Sequence, residues 1–249
     1  MTDSNPYATT LDLRQTGAIW RARLLRPQLD AELVAALADA MRRCAAGQGV
    51  VLAIEGSGEA FCLGGDLEAA ARDAPYDPAS LYDLWRGLSE GPFVSVALAR
   101  GRTTAGGVGL LACCDIALCD NGATFGLPEM LFGLHPACVM PFLARRVGAQ
   151  RAHYLTLTSA SLTAAQALAC GLVDAMDADA EALLRAHLLR LRRLSPSAIA
   201  RYKAYRAQTD GVVAVRRDAA LDANRAMFAD PIVRDNIRRY VTTTKFPWE

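Results

Sequence analysis

Two glycine-rich turns in this sequence have the composition of a site for a negatively charged oxygen. One is AGGVG at residues 105–109, after a strand-like apolar run, and the other contains Gly64 and Gly65, after the apolar run at residues 50–54. Small residues where a strand meets a helix let a ligand approach the backbone. The free N–H groups and partial positive charge of a helix N-terminus then suit a developing oxyanion. We therefore predict that each turn gives one N–H group to a two-donor hole for a thioester oxygen.

One acid follows the glycine-rich turn at residues 105–109. Glu129 comes directly after Pro128 in an otherwise apolar stretch that includes Phe125 and Leu127. A carboxylate in such surroundings should have a raised pKa, which suits it to remove and return a proton. The structural alternative is an acid that interacts with the dipole of a helix N-terminus.

The order of these elements resembles the crotonase superfamily, the enoyl-CoA hydratases and isomerases. The shared motifs are F-x-x-G-x-D-L at residues 61–67, a glycine-rich turn leading to C-D-I at residues 101–116, F-x-x-P-E-x-x-x-G at residues 125–133, and A-x-x-x-G-L-V within residues 164–174. The resemblance covers nearly the whole chain. It implies an α/β fold, a crotonase-like spiral of ββα units at residues 1–195 that holds the active site, and a C-terminal helical trimerisation region at residues 196–249. Alternation of strand and helix patterns along the chain independently favours an α/β fold.

The resemblance also implies roles for individual residues. Gly65 and Gly106 would be the two oxyanion donors, with Leu63 and Gly64 beside them in contact with substrate. Hydratases of this family use two glutamates, and the first stands three residues after the oxyanion glycine, where this sequence has Gly109. The second is retained as Glu129, which would exchange the proton at C2.

Other residues have both a functional and a structural interpretation. His135, six residues after Glu129, would assist a leaving hydroxyl or bind a carboxylate, or would be structural. Tyr82 and Arg86 are four residues apart and would share a helix face beside the acyl pocket. Arg86 would bind a distal carboxylate there, or would be solvated.

A basic segment lies near the C-terminal third of the chain. Residues 185–206 contain seven basic residues, including Arg192 and Arg193, and no acid. An acidic carrier protein or a nucleotide phosphate would suit this segment, whereas an ordinary solvated helix face is the structural explanation. RNA binding is a further alternative, although few aromatic residues are interleaved with the charges.

Composition narrows the classes of function. The chain has 249 residues, 52% of them hydrophobic, and a formal net charge of +1, which argues against global attraction to nucleic acid or to a membrane surface. Its start lacks the pattern of a signal peptide, and no apolar run has membrane-spanning length. Seven cysteines without paired ligand spacing favour reduced thiols and no metal site. We therefore expect a cytoplasmic protein.

Several runs narrow the resemblance further, to the dehydratase of polyketide β-branching (HMG-synthase) cassettes. They are LYDLW at 81–85, LFGL at 131–134, PACVMPF at 136–142, HLLRLRRL at 187–194 and KFPWE at 245–249. This implies dehydration of a 3-hydroxy-3-methylglutaryl group on an acyl carrier protein, with no cofactor beyond the carrier's phosphopantetheine or a coenzyme A thioester. It also implies a homotrimer or a dimer of trimers. The loop after residue 27 is short for binding the coenzyme A nucleotide, which favours a carrier.

Three alternatives to this function stay open. The decarboxylase of the same cassette is the first, but decarboxylation generates its own carbanion and has no need of Glu129 as a base. A general enoyl-CoA hydratase or isomerase is the second, and Gly109 in place of an acid argues against it. The third is a scaffold or RNA-binding protein without catalysis.

Overall fold

The computed structural model describes residues 7–56, 59–72 and 77–249. Its strands are short segments spread through the first three-quarters of the chain. They are β1 (Leu11–Thr16), β2 (Ile19–Leu24), β3 (Gln28–Leu29), β4 (Val51–Glu55), β5 (Ala60–Cys62), β6 (Gly64–Gly65), β7 (Val94–Ala99), β8 (Arg102–Thr104), β9 (Ile116–Asp120), β10 (Thr124–Gly126), β11 (Leu162–Thr163) and β12 (Ala175–Asp177).

Helices follow the strands in each repeat and then occupy the C-terminal third. They are α1 (Ala31–Ala46), α2 (Leu67–Ala71), α3 (Pro78–Glu90), α4 (Gly106–Cys113), a 3-10 helix (Glu129–Phe132), α5 (Met140–Val147), α6 (Ala149–Thr158), α7 (Ala164–Ala169), α8 (Ala180–Leu191), α9 (Pro196–Asp210), α10 (Val212–Val215), α11 (Arg217–Ala229) and α12 (Pro231–Thr243).

The strands form a spiral of repeated units. The larger sheet has the order β1-β2-β4-β7-β9-β12 and is parallel except for the β1–β2 hairpin. A smaller sheet has the order β11-β10-β8-β5. Successive units therefore place one strand in the larger sheet and the next in the smaller one before a helix follows: β4 and β5, then β7 and β8, then β9 and β10. This confirms the predicted α/β class with ββα repeats.

Both faces of the larger sheet are covered, because every residue of β4 and β7 is buried and all of them except Glu55 and Ser95 are apolar. Such continuous runs are typical of parallel strands with layers on both sides. Leu52 and Ala97 point into the main core with α1, α3 and α4. The alternate residues, such as Val51 and Val96, pack against α8 and α9.

A third apolar cluster joins the segment after Glu129 to the last two helices. Its buried members are Phe132, Leu134, Ala137, Met227, Val233 and Ile237. Chain regions nearly one hundred residues apart in sequence therefore share one small core. The C-terminal region supports the segment that carries the candidate acid.

Most local predictions agree with these elements. Asp30 caps α1, where its Oδ1 accepts a hydrogen bond from the Leu33 N–H at 2.8 Å. Ser195 caps α9 at the predicted domain boundary, although the boundary itself stays a prediction. The sequence pattern predicts one helix over residues 212–229, which the structure divides into α10 and α11. The segment APYDP at residues 74–78 predicts an interruption between helices and falls largely outside the described residues.

The description of residues 185–206 as one solvated basic face needs a correction at Lys203. Its side chain is only 2% exposed, and Nζ lies 2.7 Å from Asp115 Oδ2. The same ammonium donates to the Leu88 and Phe93 carbonyl oxygens at 3.1 and 2.9 Å. A buried charge has to be paired and hydrogen-bonded, so this lysine fastens α9 to the core and is not available to a partner.

The described helices include none that is both long enough and apolar enough to cross a membrane.

Candidate active site

The two glycine-rich turns lie against each other. A Cβ atom built on Gly106 would be 3.5 Å from Gly64 Cα and 3.8 Å from the Gly65 nitrogen. A Cβ on Gly64, whose φ is +85°, would come within 2.8 Å of the Gly106 nitrogen. The structure therefore brings the two predicted donors together, and only glycine at position 64 leaves room for the second backbone.

Each donor is positioned by a different kind of element. Gly65 belongs to β6, which pairs in parallel with β3. Leu63, just before it, is held through its N–H to the Pro27 carbonyl at 2.8 Å and through its own carbonyl, which accepts from Thr104 Oγ1 at 3.0 Å. Gly106 is the first residue of α4, where an N–H has no acceptor within the helix. Both glycines are partly exposed, so a ligand can reach them.

The turn before Gly106 also leads to the acid. Ala105 has φ +52°, a conformation that non-glycine residues rarely adopt and that concentrates at functional sites. Its N–H donates to the Gly126 carbonyl at 2.9 Å. Gly126 ends β10, three residues before Glu129. A single backbone hydrogen bond thus joins the donor turn to the strand that leads to the candidate acid.

Glu129 begins the 3-10 helix and turns one carboxylate oxygen into the protein. Oε2 is buried, and no group in the described residues forms a hydrogen bond to it. Burial raises the pKa of Glu129 from 4.5 to about 7, with a hydrogen bond from its own backbone acting in the opposite direction. An acid with this pKa exchanges a proton readily at neutral pH. Two backbone donors and one proton-exchanging acid are what enolate chemistry at an acyl thioester needs.

A family model described as enoyl-CoA hydratase/isomerase matches residues 14–249. The chain belongs to this family. It is therefore an enzyme of the hydro-lyase class.

Individual members of the enoyl-CoA hydratase/isomerase family agree with that assignment over most of their length. The bacillaene synthase dehydratase PksH of Bacillus subtilis is 44% identical over 215 residues, which cover 84% of this chain and 83% of the relative. A crystal structure of the polyketide biosynthesis enoyl-CoA hydratase PksH from the same organism superposes with a TM-score of 0.93, at 38% identity over 96% of this chain and 99% of the other. An enoyl-CoA hydratase from Mycobacterium avium subsp. paratuberculosis superposes with a TM-score of 0.81, at 26% identity over 93% of this chain and 95% of the other.

The remaining predicted site residues of this family member have varied surroundings. His135 is exposed, and its backbone N–H points at the Met227 sulfur 3.1 Å away. Tyr82 is buried and donates from its hydroxyl to the Val213 carbonyl at 2.6 Å. As the structure stands, that hydroxyl is engaged by protein and not open to a substrate.

Arg86 lies on the same helix as Tyr82 but at the surface. Its Nε forms an ion pair with Glu90 at 2.9 Å, and the side chain is 42% exposed. It borders an open surface depression together with Asp83, Gly87, Glu90 and Arg217. Exposed pairs of this kind contribute little to stability, so the guanidinium could exchange its partner.

Arg192 and Arg193, the predicted carrier contacts, are exposed at the end of α8. The middle of the following helix, α9, adds Tyr202 and Tyr205, which are exposed to 62% and 65%. Sequence reasoning noted the charges but not the exposed aromatic rings beside them in the chain.

Sequence reasoning missed Trp85, which the structure places against α4, the helix that begins at Gly106. Gly109 lies one turn beyond Gly106, and a Cβ there would approach Trp85 Cη2 to 2.5 Å. The place from which the family's first glutamate projects is thus covered by an aromatic ring. No local sequence pattern predicts this contact, because Trp85 and Gly109 lie on different helices.

Burial also determines the protonation state of Cys62, which lies beside the turn that contains Gly64 and Gly65. Cys62 is completely buried, and desolvation raises the pKa of its thiol to about 12. It is therefore protonated at neutral pH and is a poor nucleophile. Cys62 is therefore not a candidate nucleophile, and Glu129 and the backbone donors stay the predicted reacting groups.

Proposed function

We propose that this enzyme dehydrates a 3-hydroxy-3-methylglutaryl group carried on the phosphopantetheine of an acyl carrier protein, giving the 3-methylglutaconyl product of polyketide β-branching. The observation that carries the proposal is that one of the family's two acidic positions is retained and the other is lost. Glu129, with a pKa of about 7, faces inward, and Gly109 leaves no carboxylate at the family's other acidic position. The similarity to PksH, a protein named for bacillaene synthesis, supports the polyketide context.

The first step is removal of the proton at C2. Ionised Glu129 takes that proton, and the electron pair of the C–H bond moves into the thioester to give an enolate. The N–H groups of Gly65 and Gly106 stabilise the enolate oxygen. One such donor typically contributes about 3–4 kcal/mol to transition-state stabilisation.

The second step is loss of the hydroxyl. The enolate electron pair forms the C2–C3 double bond as the C3–O bond breaks, and the departing oxygen takes a proton to leave as water. Glu129 has just acquired a proton and can return it here. His135, acting through a water molecule, is the second candidate for this role because its ring lies at the surface close to Glu129 in sequence.

A carrier protein is the partner we propose. Arg192 and Arg193 offer exposed positive charge to an acidic carrier, and electrostatic complementarity of this kind mainly increases the rate of encounter. The short connection between β2 and α1 leaves little chain to hold a nucleotide. No cofactor, nucleic acid or membrane enters this scheme.

We also propose that the C-terminal helices assemble the protein as a homotrimer or a dimer of trimers. Val215 on α10 and Ile232 on α12 are large apolar side chains exposed to 83% and 71%. Light scattering during gel filtration measures the state, and the replacement of both by Asp should shift it to the monomer. Unchanged mass in that variant would place the interface elsewhere.

The decisive experiment is mass spectrometry of a loaded carrier. An acyl carrier protein bearing 3-hydroxy-3-methylglutarate is incubated with the enzyme, and the acyl group should lose one water molecule. Incubation with a carrier bearing 3-methylglutaconate distinguishes the decarboxylase, which would release carbon dioxide. Absence of water loss from the first carrier would refute the proposal.

A further inference from the structure

Trp85 on α3 carries a buried hydrogen-bond donor for which the described residues supply no acceptor. The side chain is 0% exposed, and Nε1 has no acceptor anywhere in residues 7–56, 59–72 or 77–249. Buried polar groups nearly always have a partner, because an unpaired donor costs about 1–3 kcal/mol. An N–H retained without one needs an explanation.

Its position relates this donor to the oxyanion hole. The six-membered edge of the indole lies on Gly109, since a Cβ there would be 2.5 Å from Cη2 and 2.9 Å from Cζ2. Gly109 follows Gly106 by three residues, which in a helix is nearly one turn, or about 5 Å along the axis. The indole therefore lies against α4 one turn beyond Gly106, the proposed oxyanion donor.

The ring is held in place by its neighbours. Trp85 meets Phe142 edge to face, with 5.7 Å between ring centres, and Tyr82 meets the same Phe142 at 5.1 Å. Tyr82, three residues earlier on α3, has its hydroxyl satisfied by the Val213 carbonyl. The Tyr82 hydroxyl is therefore bound within the protein, whereas the Trp85 Nε1 on the same helix has no acceptor among the described residues.

We propose that the Trp85 indole N–H donates a hydrogen bond to an oxygen on C3 of the acyl group and so selects 3-hydroxyacyl thioesters. The inference rests on the proposed function and names the group that recognises the leaving hydroxyl. C3 is two carbons beyond the thioester carbon, so its oxygen lies a short distance from the oxyanion hole, as the indole does. An indole N–H can only donate, so it forms a hydrogen bond in which the C3 hydroxyl oxygen is the acceptor, and it gains nothing from a C3 that carries hydrogen alone.

The first test is a matched binding comparison in Glu129→Gln protein, where proton removal cannot consume the ligand. The probes are pantetheine thioesters of 3-hydroxy-3-methylbutyrate and 3-methylbutyrate, which differ only in the C3 hydroxyl. We expect the hydroxylated probe to bind about tenfold more tightly, and Trp85→Phe to abolish that difference by removing only a hydrogen bond and ring area. Persistence of the preference in Trp85→Phe would overturn the proposal.

Trp20 supplies the control, because its Nε1 is also buried without a partner among the described residues. Its ring lies under Arg43 of α1 and against Gly47, which follows that helix. Trp20→Phe should leave the tenfold preference intact. Thermal melts of both variants show whether each is folded. Loss of the preference in the folded Trp20→Phe protein would also overturn the proposal.

A second readout follows the donor itself. The chain contains three tryptophans, so nitrogen-labelled indole groups give a simple magnetic resonance spectrum that Trp→Phe variants assign. The Trp85 N–H signal should move downfield when the hydroxylated probe binds and should not move when the probe without the hydroxyl binds. Filling of the pocket by itself would not produce this difference between the two probes. These measurements need no turnover: a shift at Trp85 without any dehydration of the loaded carrier would sink the proposed function alone, and dehydration without the shift would sink the role of Trp85 alone.

Discussion

The two halves of the site are built by opposite means. The donor half consists of backbone N–H groups at Gly65 and Gly106, fixed by strand pairing and by a helix whose residues after Gly106 are all buried. The acid half is one side chain, Glu129, on a short 3-10 helix that the C-terminal region supports. Backbone donors do not titrate, whereas the acid owes its function to the burial of one carboxylate. The donor half should therefore respond to changes of shape, and the acid half to pH and to distant packing.

The largest effect is expected from removal of the acid. Glu129→Gln keeps the shape but cannot take a proton, so dehydration of the loaded carrier should fall by about 10²–10⁴-fold, in line with the contribution of acid–base catalysis. Initial rates measured by mass spectrometry check this. Glu68→Gln, at an exposed acid on α2, is the control and should keep full activity. Retention of more than a tenth of the wild-type rate by Glu129→Gln would mean that another group is the base.

A change of shape in the donor half comes next. Gly64→Ala would place a methyl group 2.8 Å from the Gly106 nitrogen at a φ of +85°, and displacement of one donor should lower kcat by about 10²-fold. Gly17→Ala carries a similar strain at φ +58° with no atom within 4 Å, so it controls for lost stability. Equal kcat losses in the two variants would show that the contact with Gly106 is irrelevant.

The pH dependence of the wild-type rate distinguishes the acid half of the site from the donor half without any mutation. Since the pKa of Glu129 is about 7, kcat/KM should fall about tenfold per pH unit below that value as the base becomes protonated. A profile flat down to pH 5 would contradict the assignment.

The same pKa predicts the sign of a stability effect. The folded pKa of Glu129 lies above the unfolded value of 4.5, so the native state binds the proton more tightly between those values. Stability from this group is therefore full below about pH 4.5 and is lost as pH rises to about 7, by up to about 3 kcal/mol. Glu129→Gln should unfold in urea with less pH dependence over this window. An unchanged dependence would show that burial of the carboxylate does not set its pKa.

A smaller effect should come from the C-terminal tail. Phe246 lies 5.6 Å from Phe132 and 5.1 Å from Tyr240 between ring centres, and Phe132 ends the helix that Glu129 begins. Phe246→Ala should loosen that helix, admit water and lower the apparent pKa in the pH–rate profile, with a kcat loss of about threefold to tenfold. Trp248→Ala should have a smaller effect on kcat and on the profile, because among the described rings Trp248 contacts only Phe246. An unshifted profile in both would limit the tail to a structural role.

The smallest effect tests the partner. Reversal of charge at Arg192 and Arg193 should raise KM for the loaded carrier severalfold and leave kcat unchanged, and added salt should have the same effect on the wild type. A double reversal at Arg14 and Arg42, both highly exposed, is the control. Equal responses of the two double variants would remove the assignment of this surface. The coenzyme A thioester should be a much poorer substrate than the carrier, and equal efficiency would contradict the carrier preference.

The sequence by itself determined the fold class and supplied the candidate reacting groups. Largely apolar runs at β4 and β7 favour strands covered on both faces. Glycines at the ends of the neighbouring strands mark where a ligand can approach the backbone. Glu129 was visible as an acid between apolar residues. These features are local, and their physical causes act over a few residues.

Only the tertiary structure decided which side chains contact each other. The sequence suggested that Tyr82 faces substrate and that Lys203 belongs to a solvated face, but long-range partners, the Val213 carbonyl and Asp115, engage both. It showed a missing acid at Gly109 without showing that Trp85 covers the position. Periodicity assigns a residue to a face of its own helix, whereas what that face meets depends on chain folded back from elsewhere.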